Sequence, residues 1–165
     1  MFRLFSLLIV ALATAVLGQQ NGQPLDLTAI SAKGGSSVFE CWRLDARWQF
    51  PPGAHGGPVG VTLGNFTSTS YSIIPAGFSG GLHNAPSRQF VLFASGEVHI
   101  TLPNSTSDAW IKGGKNGLII AADTADVSQY GHELTAVGED VASLQMPLMA
   151  GTDFDYQLLH PGPCH

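Results

Sequence analysis

The chain has 165 residues, with 7 Lys and Arg against 12 Asp and Glu and a formal net charge of −5. So few cations, among scattered acids, leave no electrostatic footprint for nucleic acid or an anionic lipid surface. The 20 glycines and 10 prolines follow no period, which excludes a collagen-like or low-complexity chain and suits a turn-rich fold.

Residues 1–18 read as a signal peptide. Arg3 supplies the positive start, Leu4 to Leu17 is almost wholly apolar, and Val16 and Gly18 are the small residues a signal peptidase accepts, so the cut is expected before Gln19. The apolar run is too short for a membrane span, and no later stretch reaches spanning length. About 147 residues would remain, with six basic against twelve acidic side chains and a net charge near −6. That is one domain of ordinary size, secreted and without a membrane partner, whose oligomeric state the sequence leaves open.

Residues 19–36 are expected to form an N-terminal arm, with Gln19–Lys33 loosely ordered or at a sheet edge, ahead of a β-domain over 37–165. Helical periodicity is scarce and period-two alternation frequent. Trp42, Leu44, Ala46, Trp48 and Phe50 alternate with Arg43, Asp45, Arg47 and Gln49, which marks a half-buried strand. Val98, Ile100 and Leu102 alternate with Glu97, His99 and Thr101 in the same way. Further strands are expected at Val59–Leu63, Tyr71–Ile74, Gln89–Phe93, Gly117–Ala121, Glu133–Val137, Ala142–Gln145 and Tyr156–Leu159. Turn clusters separate them, at Pro51-Pro52-Gly53, Gly56-Gly57-Pro58, Ser79-Gly80-Gly81, Ser95-Gly96 and Gly113-Gly114. A short helix is expected near Thr124–Tyr130. Many short strands about ten residues apart indicate an all-β sandwich or barrel.

Two cysteines, Cys41 and Cys164, are expected to pair in the oxidising compartment that a leader implies. Two sequons, Asn65-Phe66-Thr67 and Asn104-Ser105-Thr106, lie among turn-forming residues and become glycosylation candidates on the same ground.

The stretch Gly80–Gly96, GGLHNAPSRQFVLFASG, places His83 and Gln89 ahead of an apolar strand that stops at a glycine. His132 follows about fifty residues later, directly after Gly131. The first segment resembles the first motif of the cupin superfamily, which runs Gly, five residues, His-x-His, three or four residues, Glu, six residues, Gly. His83 takes the first histidine position, and Gln89 and Gly96 keep the acid-to-glycine spacing. Gly131-His132 matches the ending of the second motif. The wider pattern, including the HPGPC tail, resembles small secreted fungal proteins of the cupin type and covers most of the chain after the leader.

The resemblance implies a double-stranded β-helix, a jelly-roll barrel, with His83, Gln89 and His132 in its mouth. It also implies a divalent transition metal, manganese, iron, nickel or zinc, held by those three residues, or else none. Ala85 stands where the family has its second histidine and Gln89 where it has glutamate, so affinity for a dication should fall. His99 and His160 are candidate substitutes. If the strand runs on from His83, residues 83, 85, 87, 89, 91 and 93 share a face, with Val91 and Phe93 in the interior and Arg88 opposite. Pro86 interrupts the ladder and calls for a bulge or an edge. Asp123-Thr124 either orients His132 or caps a turn, and the turn is the simpler reading.

No phosphate loop, His-Glu-x-x-His or Cys-x-x-Cys is present. The function classes left are three. One is an enzyme on a small organic molecule, with His83 and His132 catalytic, for which oxidation, isomerisation, cyclisation and decarboxylation all fit. The others are a binding module for a sugar or small hydrophobe, and a structural or wall-associated body.

Overall fold

The computed structural model describes residues 22–50 and 59–165. The leader, His55 and the turn clusters at 51–53 and 56–58 lie outside the described residues. Among the described residues there are ten strands and no helix: β1 (Pro24–Lys33), β2 (Ser36–Arg47), β3 (Ser70–Ile74), β4 (Gln89–Phe93), β5 (Glu97–Thr101), β6 (Asp108–Lys112), β7 (Leu118–Ala121), β8 (Glu133–Val137), β9 (Val141–Pro147) and β10 (Tyr156–Pro161). No helix among them is long and apolar enough to cross a membrane.

The chain packs as two compact units. Among the described residues the smaller comprises 22–25, 46–50 and 59–63, the larger Asp26–Asp45 and Gly64–His165. In the smaller, the Trp48 N–H donates to the Gln23 carbonyl and the Gly22 N–H to the Trp48 carbonyl. Gln49 and Gly60 form an isolated bridge. Val59–Leu63 therefore makes one bridge and no strand: its alternation is real, but only Gly60 finds a ladder partner.

The larger unit carries the expected all-β arrangement, two sheets around one core. One sheet has seven strands in the order β10-β2-β1-β7-β4-β9-β3, the other three in the order β6-β5-β8. Period two sorts the side chains between core and outside. Ile30, Phe39, Val91, Phe93, Ile119 and Val141 from the large sheet meet Val98, Ile100, Ala109, Ile111 and Ala136 from the small one. Burying such side chains stabilises by about 1.5–3 kcal/mol each. The opposite face of the large sheet is apolar as well. Phe90 packs edge-on to Phe66 and against Phe154, and Trp42 stacks on Tyr156 at 3.7 Å between ring centroids.

Two further expectations are corrected, and one strand appears that was not expected. Pro24–Lys33 is no loose or edge arm: β1 lies between β2 and β7 in the large sheet. Leu27 to Ser31 are all buried, so no alternation betrays the strand. β6 was not foreseen, because its outward residue is Trp110 while the small Ala109 points to the core. Residues 124–130 form no helix. The Val127 and Ser128 N–H groups both donate to the Thr124 carbonyl, and the turn goes no further.

The paired cysteines are joined. Cys41 on β2 is bonded to Cys164, just after β10, across a sequence separation of 123.

Candidate functional site

The run from His83 to Phe93 is interrupted at Pro86, where a bulge or an edge is expected, and the interruption is a change of sheet. Before it, Ser79 bridges Thr135 and His83 bridges His132, both antiparallel, so this segment lies along β8. Ala85 enters the core and bridges Thr124. After the proline the chain belongs to β4, in the other sheet, between β7 and β9. The crossing puts His83 and Gln89 on different sheets. The parity argument still places Val91 and Phe93 in the core and Arg88 on the far side, where its guanidinium sits 5.0 Å from the Phe154 ring centroid.

His83 and His132 are direct cross-strand partners. Each N–H donates to the other's carbonyl at 2.9 Å, and the imidazole centroids are 4.7 Å apart, tilted by 54°. The spacing depends on Gly131, whose φ is +72° and whose α-hydrogen faces the His83–Asn84 peptide; a Cβ there would overlap it.

Each ring has one nitrogen engaged. Nδ1–H of His83 donates to the Gly81 carbonyl, and Nδ1–H of His132 to Asp123 Oδ2, both at 2.8 Å. The acceptors fix the tautomers and leave each Nε2 as the nitrogen available to a ligand. His132 is 5 % exposed and Asp123 wholly buried, whereas His83 is exposed. The pair thus has one fixed, buried ring and one ring open to solvent.

Behind His132 stands a network that the sequence did not reveal. Asp123 Oδ2 also accepts from the Ser37 hydroxyl at 2.7 Å, and Ser37 meets Ser128 at 2.7 Å. The Asn84 amide donates to the Asp123 and Ser128 carbonyls. Asp123 Oδ1 is buried without a partner in the protein, so it is an acceptor open to a donor, since an unmet buried acceptor costs about 1–3 kcal/mol. The orienting role of Asp123 is realised, while Thr124 supplies the turn. Only the short Asp123–His132 spacing hinted at this; Ser37 comes from 86 residues away.

Gln89 is buried and shares the face of Val91 and Phe93. Its partner on β7 is Ala121, two residues before Asp123, so it stands at the end of the large sheet from which Asp123 emerges. Among the described residues, no three His, Cys, Asp or Glu side chains gather in a way that could hold a metal ion.

The candidate substitutes lie elsewhere. His160 is exposed and stacks on His165. His99 is on the outer face of the small sheet, where it stacks on Trp110 at 4.1 Å and its Nε2 meets Asp108 Oδ2 at 2.7 Å. The hydrogen bond from His99, aided by one from the Trp110 indole, holds the Asp108 carboxyl below its ordinary 3.8. A depressed carboxylate stabilises the fold above its unfolded pKa, and this contribution is lost as pH falls through the lower folded value. Asp108→Asn is therefore expected to lower stability at neutral pH, where the ionised carboxylate contributes in full, and to flatten the acid limb of the stability curve below about pH 4. Thermal melts of both proteins from pH 2 to 7 check this.

No protein-family model matches the chain, and no curated protein matches it in sequence. Solved structures do. The conserved SPY1581 protein of unknown function from Streptococcus pyogenes is similar at 17 % identity over 63 % of this chain and 73 % of that one, with a TM-score of 0.37. The capsular polysaccharide assembling protein CapF from Staphylococcus aureus is similar at 13 % identity over 84 % of this chain, with a TM-score of 0.37, and this chain spans 34 % of its length.

Proposed function

We propose that this is a secreted, cupin-like protein with a small-molecule site built on His83 and His132. The observation that carries the reading is the pair itself: two imidazoles 4.7 Å apart, each with Nδ1–H engaged and Nε2 free. Carboxylate or carbonyl acceptors behind Nδ1 are what metal-ligating histidines ordinarily have. Two neutral nitrogens, with the Gln89 amide at the same end of the sheets, fit an open site for a divalent ion such as manganese, iron, nickel or zinc. They do not fit a closed structural site, which takes four protein ligands. An ion bound there would polarise an oxygen of the substrate.

The chain's own groups have separate parts. Asp123 fixes the His132 ring through the hydrogen bond to Nδ1. His83, on the solvent side, is the first imidazole an incoming molecule meets. Leu82 and Tyr130, both about half exposed, flank the two histidine segments in sequence and suit a ligand with an apolar part. The disulfide and the leader-like start support export through an oxidising compartment.

Titration calorimetry with each of the four ions tests the metal. One ion is expected to bind at one equivalent. Either His83→Ala or His132→Ala abolishes that binding, and Asp123→Asn weakens it about 10–100-fold. Should no ion bind the intact protein, the metal fails, and thermal-shift screening with sugars and small organic acids becomes decisive. Stabilisation that needs both histidines would then mark a binding module, and stabilisation indifferent to both would remove the site.

A further inference from the structure

The outer face of the β5–β6 hairpin carries an aromatic side chain that is held but not buried. Trp110 is 55 % exposed, yet two side-chain contacts fix it. One face of the indole stacks on His99 with 18° between the planes. Its Nε1–H donates to Asp108 Oδ2 at 3.2 Å, and the same oxygen meets His99 Nε2. His99 and Trp110 are direct partners in the ladder, so the platform rests on a sheet. The second face of the indole is left to solvent. An indole immobilised before anything binds it pays little ordering entropy when something does.

The same hairpin offers an occupant. Its loop, between Thr101 and Asp108, carries the sequon Asn104-Ser105-Thr106, and Pro103 through Ser107 are all exposed. A turn fixes the loop, with the Ser105 N–H donating toward Leu102 and the Ser107 N–H to Ser105 Oγ. Trp110 lies two residues into β6, roughly 7 Å along the strand from the start of the loop. The inner sugar rings of a glycan span that distance.

We propose that Asn104 bears an N-linked glycan whose inner pyranose rings lie on the free face of Trp110, so that the hairpin wears its own carbohydrate cover. The proposal rests on the export reading above, because only an exported chain meets the transferase. The bond forms when the Asn104 amide nitrogen displaces the pyrophosphate carrier from an activated oligosaccharide and loses a proton; no oxidant or reductant takes part. The C–H face of a pyranose is apolar and matches the indole, while Asp108, Thr101 and Lys112 beside it offer hydrogen bonds to its hydroxyls. Asn65, the other exposed sequon, serves as the internal comparison.

The test uses the full chain secreted from a eukaryotic host. Peptide mass mapping reads occupancy at Asn104 and Asn65. Melting temperatures are then compared for the intact protein, Trp110→Ala, Thr106→Ala and the double variant. Thr106→Ala removes the glycan without touching Asn104. If sugar and indole pack together, Trp110→Ala costs about 2–4 °C more in the glycosylated protein than in the Thr106→Ala background. Endoglycosidase trimming also changes the indole emission of the intact protein and not that of Trp110→Phe. An empty Asn104 in a chain that is secreted with Asn65 occupied overturns the proposal. Strictly additive melting shifts with unchanged emission overturn it equally. Failure of secretion in every host overturns the export reading on which it rests, whereas the metal site stands or falls by calorimetry alone.

Discussion

Gly131→Ala is expected to cost about 3 kcal/mol or more and to separate the two imidazoles. Two penalties add. Gly131 has φ +72°, in the left-handed region, and a residue with a Cβ pays about 1–2 kcal/mol there. The new methyl would also overlap the carbonyl and the following nitrogen at His83–Asn84, which are backbone atoms that no rotamer change can move aside. Forcing packed groups apart adds about 1–3 kcal/mol. The chain relieves the overlap by opening the His83–His132 pair, whose two backbone hydrogen bonds sit beside it. Gly138→Ala is the control: its φ is +76°, yet a Cβ there would meet nothing within 4 Å. Both variants pay for conformation, and only Gly131→Ala pays for contact. Urea unfolding of the two, with the calorimetric titration of any ion the intact protein binds, separates the terms. Equal losses in stability would show that the close approach at residue 131 is not what sets the histidine spacing.

That glycine was visible in the sequence only as the residue before a histidine, and it illustrates what could be read and what could not. Strands buried on one face announce themselves by alternation. The bounds of β4 and β8 were legible to the residue, as was the inward set Val98, Ile100 and Leu102 on β5 and beyond. β1 was not legible, since a strand covered on both sides has no polar face to alternate with, and its buried Thr28 and Ser31 read as loop. The histidine pair was legible because its two segments resembled motif halves. The Ser37–Asp123–His132 chain was not, because Ser37 reaches Asp123 through sheet order alone and serine has no distinctive spacing. The change of sheet at Pro86 could be suspected from the missing N–H, but its consequence, His83 beside β8 and Gln89 beside β7, needed the topology.

Reduction of the Cys41–Cys164 bond is expected to remove about 4–5 kcal/mol of stability, because the bond closes a very long loop in the unfolded chain. At ordinary urea sensitivity for a chain of this size, the midpoint should fall by roughly 2 M or more. The first element released should be β10. It is a sheet edge, pairs with β2 alone, and has a register shift between Leu158 and His160. Its residues are almost all exposed, so little apolar burial holds it. β2 has more support. It also lies against β1, buries Phe39 in the core, and carries Ser37 into the Asp123 network four residues before Cys41. Loss of β10 should therefore stop at β2 and leave His83, His132 and Asp123 in place, since their contacts come from the segment leading into β8, the segment before Pro86, the turn after β7 and Ser37 at the start of β2. Hydrogen exchange of the reduced chain in native buffer checks the order of events: protection is expected to vanish at residues 156–161 and to persist at 132–137. Protection lost in both at once would mean that the disulfide closes the candidate site as well as the sheet edge, and that β2 transmits the strain from Cys41 to Ser37.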